Sequence, residues 1–577
     1  MRSPFEPYFF FASLNQNLIF LFGNYKALNR MKKRNILTLL LGLTIGVLLG
    51  FTLLRGPIDR GMVEQAAALI GLEMTPAEVD SMLPGLEEQQ TAYQSIREQD
   101  IPNGLTPALL FNPLPQGFEV PSDEEAIAFN LPKYVKLPEN REELAFFSVA
   151  ELSALIKSRQ ISSVELTKFF LERLKKYDPG LHCVITLTEE RALAQAKQMD
   201  EELGRGFYRG PLHGIPYGAK DLLAADGYKT TWGAMPYKDQ MLNYDAAVIE
   251  KLDAAGAVLI AKLSMGALAW GDVWYGGKTR NPWNTEQGSS GSSAGSASAV
   301  SAGLAPFAIG TETWGSIVSP ATVCGVTGLR PTFGRVSRYG AMALSWSMDK
   351  IGPICRTAED CAIVFEAIRG KDQRDPTTVD AAFNYNHKLE AKQLRVAYLK
   401  KDFEGDYGFK ANDSLALAKL RQLGIVLVPI ELPEVPDISF ILSAEAAAAF
   451  DELTRSGKDD LLVRQIRNAW PNSFRQSRFI PAVEYIQANR LRTAMIEEIH
   501  KRLKEVDVFI APSWSGDNLL RTNLSGHPCV VLPTGFRDGT PTSITFCGQL
   551  YGEAAILKLA AFFQANTAFH LKHPEGF

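Results

Sequence analysis

The chain has 577 residues, of which 46% are hydrophobic and 21% charged, with a formal net charge of −4 at pH 7. This composition is typical of a globular protein, and the length suffices for one large core or for two to three ordinary domains. The charge balance argues against a general nucleic-acid binder, which would carry a basic field, and no charged tail suggests a polyelectrolyte partner.

An apolar run near the amino terminus predicts a membrane segment. Ile36–Leu54 carries no charged residue, and three basic residues precede it at 32–34. A helix of this length spans roughly 28 Å, close to the hydrocarbon core of a bilayer at about 30 Å. The basic flank is expected to stay in the cytoplasm, which leaves the rest of the chain outside it.

Two interpretations of residues 31–55 stay open. The run is longer than the apolar part of a secretory signal and lacks a good cleavage site, which favours an uncleaved anchor. If the segment is instead a cleaved signal, the mature protein is secreted or periplasmic. Residues 1–30 precede a second plausible start at Met31, and no function is assigned to them.

Residues 56–141 combine short helical patterns with proline-rich connections such as "FNPLPQGFEVPSD". This composition predicts a membrane-proximal segment that spaces or wraps the main domain.

From residue 142 onwards, helical and strand patterns alternate to the end of the chain. Ser162 and Glu165 form a capping-box pattern before an amphipathic helix, for which Pro179 predicts the end. The alternation predicts an α/β layered fold, and the absence of a clean linker predicts one domain over 142–577. The strand candidates are "HCVITLT", "AVLIAKL", "LRVAYLKKD", "GIVLVPIEL" and "VDVFIAPS".

The six cysteines lie far apart and form no CxxC pair, so buried thiols are expected and a metal site is not. They are Cys183, Cys324, Cys355, Cys361, Cys529 and Cys547.

A tract rich in glycine and serine spans Gly288–Gly303. Taken alone, it is compatible with a flexible linker. Its position inside the predicted domain, directly before the apolar stretch "GLAPFAIGTET", favours close backbone packing or amides that face a ligand.

Two other stretches hold candidate functional residues. "GPLHGIPYGAKDLL" contains Lys220 among apolar neighbours, although most lysines are solvated surface residues. "GTETWGSIVSP" places Ser316 after Trp314 and Gly315 in a run too polar for a strand and too rich in glycine for a helix. That stretch is either a surface turn or a backbone that presents one hydroxyl to a substrate.

Three motifs together resemble the amidase signature family. They are "GPLHGIPYGAKD", "SGSSAGSASAVSAGLAPFAIGTETWGSIVSPATVCGVTGLRPTFGRVSRYG" and "DKIGPICR". The similarity runs from about Leu144 to "HPCVVLPTG" and beyond, some 400 residues in the family's order. It implies an α/β fold in which α-helices surround a large mixed β-sheet.

The resemblance also implies a Ser-cisSer-Lys triad. On the matching positions, Lys220 is the general base, Ser292 the proton relay and Ser316 the nucleophile, with a cis peptide between Gly291 and Ser292. The serine doublet at 289–290 is an alternative to Ser292, but it lies three residues too far upstream. Backbone amides of residues 313–316 (Thr313, Trp314, Gly315 and Ser316) are implied as the oxyanion hole, and Gly291, Ser293, Asp221 and Glu312 as supporting residues.

The chemistry requires an uncharged lysine. A serine hydroxyl needs a base to remove its proton, and a lysine with an ordinary pKa near 10.4 serves only if burial lowers that pKa by several units. No histidine lies in a recognisable triad motif, and His213 is expected to make a loop contact.

Two positions depart from the usual family pattern. A small residue usually occupies the position of Trp314, which here is expected to wall or narrow the pocket. An arginine often occupies the position of Val318, so Glu312 lacks that partner unless Arg330 supplies it. Ala294, in place of glycine or serine, is a mild change.

The sequence therefore predicts an amidase that forms an acyl-enzyme on Ser316 without a metal or an organic cofactor. The substrate is a small-molecule or peptide amide, bound in a pocket expected near 129–134, 237–244 and 444–474, and a homodimer stays open. Two alternatives remain: a glutamine-dependent amidotransferase subunit for tRNA-linked amidation, which the membrane-type terminus disfavours, and a non-catalytic binding or scaffold protein.

Overall fold

The computed structural model describes residues 58–99, 101–105 and 107–577. The predicted membrane segment at 31–55 and the extension at 1–30 lie outside these ranges, so membrane attachment stays a prediction of the sequence. Among the described helices, none combines the length and apolar character needed to cross a bilayer.

The chain divides into two compact units, one ending at Asp100 and the other beginning at Ile101. In the first unit, helices α1 (Arg60–Leu69) and α2 (Pro76–Arg97) form a pair of unequal length. Each helix starts at a side-chain cap, since Asp59 accepts from the amide of Met62 at 2.8 Å and Thr75 forms a capping box with Glu78.

The second unit includes residues 101–141, which the sequence pattern assigned to a separate membrane-proximal segment. These residues pack on the later chain. The ring of Phe111 meets that of Phe333 edge-on at 5.0 Å, and the amide of Ala128 donates to the carbonyl of Tyr385 at 2.9 Å. The boundary therefore falls near residue 100 and not at 141, because apolar and main-chain contacts tie this stretch to the larger unit.

The strands of the second unit are short and, in the sheet centre, fully buried. They are β1 (Val184–Leu187), β2 (Pro216–Lys220), β3 (Val258–Leu263), β4 (Val273–Trp274), β5 (Gly277–Lys278), β6 (Arg280–Asn281), β7 (Asn284–Gly288), β8 (Phe307–Glu312), β9 (Thr327–Arg330), β10 (Lys350–Cys355), β11 (Val396–Leu399), β12 (Leu427–Ile430), β13 (Val508–Pro512), β14 (Cys529–Arg537) and β15 (Thr540–Gly548).

The α-helices of this unit alternate with the strands. They are α3 (Val149–Lys157), α4 (Ser163–Leu181), α5 (Glu189–Gly204), α6 (Ala247–Ala254), α7 (Ala294–Ser301), α8 (Val318–Cys324), α9 (Ala358–Ile368), α10 (Lys400–Glu404), α11 (Lys410–Gln422), α12 (Phe440–Ala449), α13 (Asp451–Arg455), α14 (Trp470–Ser477), α15 (Ala482–Leu503), α16 (Asn518–Leu524) and α17 (Glu553–Ala565). Short 3-10 turns cover Arg141–Phe146, Met235–Tyr237, Ala267–Ala269, Ala391–Gln393, Lys458–Leu461 and Phe569–Leu571.

Eleven strands form one mixed sheet in the order β1-β3-β2-β8-β10-β9-β14-β15-β13-β11-β12. Strands β3, β2 and β8 run parallel, as do β13, β11 and β12, and the remaining neighbours are antiparallel. Because β2 and β8 are parallel neighbours, their carboxyl ends meet at one edge of the sheet. This architecture is the predicted α/β fold with a large mixed sheet.

Most predicted elements are present, and two differ at their ends. Helix α4 begins with the capping box of Ser162 and Glu165 but continues past Pro179, ending where His182 adopts a left-handed conformation. Strand β11 is followed at once by α10, so only the first half of "LRVAYLKKD" is extended.

The glycine-serine tract is not a linker. Its second half forms α7, in which all eight residues are buried. The small side chains are needed because neighbouring backbone lies close: a Cβ at Gly295 would meet the carbonyl oxygen of Cys183 at 2.4 Å and the amide nitrogen of Ser264 at 2.5 Å. All six cysteines are buried and unpaired, as predicted.

The buried position of Ile309 in β8 gives a test of this packing. We expect Ile309→Ala to lower the free energy of unfolding by about 2–5 kcal/mol and Ile309→Val by about 0.5–1.5 kcal/mol, because the cavity left behind grows with the atoms removed. Chemical denaturation measures both values. Leu415→Ala, at a side chain that is 68% exposed, is the control and should change stability by less than about 0.5 kcal/mol.

Candidate active site

Lys220 is the last residue of β2, and its side chain is completely buried. Its amine nitrogen Nζ lies 2.8 Å from Ser292 Oγ, 2.8 Å from Thr311 Oγ1 and 3.2 Å from Ser293 Oγ. A further contact of 3.4 Å reaches the carbonyl oxygen of Thr311 at the end of β8. The parallel pairing of β2 with β8 thus brings the lysine to the hydroxyls, and within the described chain its hydrogen-bond partners are all hydroxyl or carbonyl oxygens.

Burial is the main influence on the pKa of Lys220. It lowers that pKa from an ordinary value of 10.5 to about 7, while the charges of Asp349 and Glu312 act in the opposite direction. Desolvation disfavours the ammonium form, and no carboxylate of the described residues contacts the nitrogen to restore it. The uncharged amine is therefore a major species at neutral pH.

The serine pair beside the lysine is held by the backbone of α7 and β8. The peptide bond between Gly291 and Ser292 is cis, as the family resemblance implies. Ser293 Oγ donates to the carbonyl of Thr311 at 3.1 Å and accepts from the Thr311 amide at 3.1 Å. The earlier doublet at 289–290 makes no hydrogen bond with Lys220 among the described residues, so Ser292 is the serine that meets the lysine.

Ser316 lies in the connection between β8 and α8. Its main-chain carbonyl accepts a hydrogen bond of 3.1 Å from the amide of Ser293, so the two serine-bearing loops are joined through the backbone. The side chain of Ser316 is buried to 7% exposure. The stretch from Gly310 combines three local structures: a strand end at 310–312, a turn at 313–317 and a helix start at Val318.

Glu312 fixes this turn from inside the protein. Its Oε2 accepts from the amides of Ile317 at 2.8 Å and Val318 at 2.9 Å, and its Oε1 pairs with Arg330 at 2.7 Å. Asn523 donates to the same Oε1 at 2.8 Å. Burial alone would raise the pKa of Glu312, but Arg330 and these hydrogen bonds lower it to about 2. Arg330 therefore supplies the partner that the replacement of the usual arginine by Val318 left in question.

The amides of Trp314, Gly315 and Ser316 differ from the two that Glu312 holds. Within the described chain, these three amides donate to no protein acceptor. Gly315 adopts a φ of 85°, a left-handed conformation that favours glycine. A turn with unused donors of this kind is suited to binding a negatively charged oxygen.

Asp221, although next to Lys220 in sequence, does not pair with it. Its carboxylate accepts from Lys262 Nζ at 2.7 Å, from the amide of Thr231 at 2.8 Å and from the Thr231 hydroxyl at 2.6 Å. The alternation of side chains along β2 explains the difference, since neighbouring residues point to opposite faces of a strand. Asp221 supports the loop that follows β2.

Two further residues had expected roles. Trp314 was expected to wall the pocket, but its side chain is 47% exposed and does not line the cavity beside Lys220. His213 makes the expected loop contact, with Nε2 at 2.9 Å from the carbonyl of Met199.

A cavity of about 550 Å³ opens beside the buried lysine. Thr311, which contacts Lys220, and Thr313, on the turn before Ser316, both line it. Most of the other walls are apolar or aromatic; they include Leu222, Trp232, Leu242, Tyr244, Met342, Leu344, Trp346 and Ile351. The predicted segment 237–244 contributes to the cavity, whereas no lining residue comes from 129–134 or 444–474.

Two further cavity residues lie inside motifs that the sequence already singles out, although their roles were not predicted. Thr311 belongs to "GTET", and Asp349 opens the motif "DKIGPICR". Asp349 accepts from Thr313 Oγ1 at 2.6 Å and from the amides of Leu344 and Ser345 at 2.8 and 3.0 Å, so it braces the turn from the cavity side. Burial raises the pKa of Asp349 above its ordinary value, against these hydrogen bonds.

Comparison with known proteins agrees with this geometry. A family model described as Amidase matches residues 165–519. The chain belongs to the amidase signature family. Enzymes of this family hydrolyse amide C–N bonds, so the resemblance predicted from the motifs is confirmed, as is the fold.

Individual relatives differ in the role that their names give. The A subunit of the glutamyl-tRNA(Gln) amidotransferase from Methylococcus capsulatus is 36% identical over 480 residues, which cover 74% of this chain and 99% of the relative. The peptide amidase of Stenotrophomonas maltophilia superposes with a TM-score of 0.65 at 29% identity, covering 73% of this chain and 96% of that one. An amidase family protein from Bacillus anthracis has a TM-score of 0.68 at 26% identity, with coverage of 76% and 93%.

The environment of Lys220 predicts how amide hydrolysis varies with pH. If the neutral amine is the active form, kcat/KM should rise as the pH increases through about 7 and reach a plateau above it. Asp349→Asn removes a charge that raises the pKa of Lys220, so the rising limb should move to lower pH. Asp375→Asn, which lines the same cavity, is the control and should leave the limb in place. A profile that falls with increasing pH near 7 would contradict the assignment.

Proposed function

We propose that this protein hydrolyses a carboxamide through an acyl-enzyme on Ser316, with Lys220 as general base and Ser292 as proton relay. The observation that supports this most directly is the fully buried Lys220 amine, with a pKa of about 7, at 2.8 Å from Ser292 Oγ. A lysine buried without a carboxylate partner is costly in a folded protein, and such perturbed groups concentrate at functional sites.

In the first half of the proposed reaction, Ser316 Oγ attacks the amide carbonyl carbon as its proton passes to Ser292, whose own proton passes to neutral Lys220. The carbonyl π electrons move to oxygen and form a tetrahedral oxyanion. The proton on Lys220 then returns through Ser292 to the leaving nitrogen, the C–N bond breaks, and ammonia or an amine leaves.

In the second half, water attacks the Ser316 ester and gives up its proton along the same route. The ester C–O bond breaks, Ser316 recovers its hydrogen, and the carboxylic acid is released. Water is the sole co-reactant, so the sequence of steps balances without a redox partner.

The turn before Ser316 is proposed to stabilise the oxyanion. The amides of Trp314, Gly315 and Ser316 have no protein acceptor among the described residues, and that of Thr313 precedes them on the same turn. Glu312 holds the next two amides, which keeps the turn in shape. Losing one oxyanion donor typically costs 10²–10³-fold in rate.

Two biological roles fit this chemistry. The curated relatives, which are named as A subunits of glutamyl-tRNA(Gln) amidotransferases, favour a subunit that releases ammonia from glutamine. The largely apolar cavity supports a free-standing amidase for an apolar amide, because both arginines that line it, Arg338 and Arg374, are already paired with carboxylates. The predicted membrane segment at 31–55 also favours the second role, since tRNA-linked amidation is cytosolic.

We expect Ser316→Ala and Lys220→Ala each to lower amide turnover by several orders of magnitude, because residues that act as one catalytic unit lose most of its effect singly. Both variants should retain the circular dichroism spectrum and melting temperature of the wild type. A fluorophosphonate probe should label the wild type but not Ser316→Ala. Wild-type turnover in either variant would refute the mechanism, and an unlabelled, inactive wild type would favour a scaffold protein.

Glutamine separates the two roles. A free-standing amidase should hydrolyse simple apolar amides when purified alone and show little glutaminase activity. An amidotransferase subunit should release ammonia from glutamine, with the rate rising when partner subunits and glutamyl-tRNA are added. Ammonia measurement with Ser316→Ala as the blank distinguishes these outcomes.

A further inference from the structure

A short turn upstream of the family region forms part of the cavity wall. Residues Pro102–Leu105, here called the strap, close on themselves through a hydrogen bond of 2.9 Å from the Leu105 amide to the Pro102 carbonyl. All four residues line the 550 Å³ cavity. The family model begins at residue 165, so this part of the wall is supplied by a segment outside it.

Asn103 fastens the strap to the catalytic unit. Its Nδ2 donates to the carbonyls of Ala343 at 3.0 Å and Ala449 at 3.3 Å, and its Oδ1 accepts from the amide of Ala343 at 2.8 Å. The paired bonds to Ala343 match the side-chain amide to a peptide group, which fixes both the distance and the orientation of the turn. Ala343 itself lines the cavity between Met342 and Leu344.

The strap faces a cavity that also contains residues next to the proposed chemistry. Thr311 contacts Lys220, and Thr313 lies three residues before Ser316. A group that occupies this cavity therefore lies within one substrate's reach of the scissile bond. The apolar and aromatic walls favour an apolar or aromatic group there.

We propose that the strap is a specificity wall, which limits the size of the apolar substituent that an amide substrate places in the cavity. This inference rests on the proposed function, because it takes the cavity as the substrate site. It assigns Asn103 as a positioning residue for the wall and gives residue 104 direct control over the space available.

Gly104 offers a way to change that space without straining the backbone. Its φ is outside the left-handed region, and a Cβ built there meets no atom within 4 Å. A leucine at this position therefore grows from a cavity-lining residue into open space. Gly180 has the same two properties, near the end of α4, but does not line the cavity. Gly104→Leu and Gly180→Leu form a matched pair.

The test combines a labelling assay and a binding assay on the full-length chain. Labelling rates of Ser316 are compared for a short-chain and a long-chain alkyl fluorophosphonate. Gly104→Leu should lower the long-to-short ratio by about tenfold, the effect of excess bulk in an apolar pocket, with the short-chain rate unchanged. Asn103→Ala should raise the ratio by about threefold as the wall loosens. Gly180→Leu should keep the wild-type ratio.

Binding is measured in the Ser316→Ala background by calorimetry with 2-naphthamide, a bulky apolar amide. Gly104→Leu should weaken its Kd by about tenfold, and Gly180→Leu should not. This assay does not use the nucleophile, so a wild type that resists the short-chain probe refutes the proposed function while binding still decides the role of the strap. Unchanged ratios in both strap variants, together with an unchanged Kd, would overturn the proposal; a change in either with Gly180→Leu unaffected supports it.

Discussion

The structure is organised around one unfavourable placement, an amine buried without a counter-ion. Lys220 and Lys262 lie on neighbouring strands and both side chains are fully buried, yet their partners differ in kind. Lys262 pairs with the carboxylate of Asp221 at 2.7 Å, whereas Lys220 meets hydroxyl and carbonyl oxygens. An ion pair preserves the charge on a buried lysine, while desolvation without one favours the neutral amine. The same sheet therefore holds a structural lysine and a reactive one, separated by what each side chain faces.

A second buried charge is used in the opposite way. Glu312 is kept ionised by Arg330 and by hydrogen bonds, and it directs its acceptor oxygens at the amides of Ile317 and Val318. Fixing these two amides leaves those of Trp314, Gly315 and Ser316 without protein acceptors in the described chain. The carboxylate thus shapes the turn without occupying its donors. Its charge also raises the pKa of Lys220, so the stability of the turn and the neutrality of the base oppose each other, and burial of the lysine decides the balance.

How far the sequence predicts such a site depends on whether the information is local. The motif positions and the strands that hold them are readable, since hydrophobic runs and short glycine turns are local patterns. The pairing of Glu312 with Arg330 and Asn523 is not, because strands far apart in the chain become neighbours only in the folded sheet. Trp314 shows the same limit: a large aromatic in the turn suggested a pocket wall, but the direction of its side chain depends on a backbone conformation that residue type does not reveal. The cavity segments predicted at 129–134 and 444–474 were wrong for this reason.

The distribution of functional parts along the chain explains why family membership gives the reaction more readily than the substrate. Lys220, Ser292 and Ser316 all lie within the matched region of 165–519, on elements that β2 and β8 hold at one edge of the sheet. The cavity walls come partly from that region, at 222–244 and 338–351, and partly from the strap at 102–105. Relatives that share the first set can differ in the second, so a common Ser-Lys chemistry is compatible with names as different as peptide amidase and tRNA-linked amidotransferase. Since the wall residues contact the substrate away from the reacting bond, changes there alter binding of the variable group while the proton route from Ser316 to Lys220 stays intact.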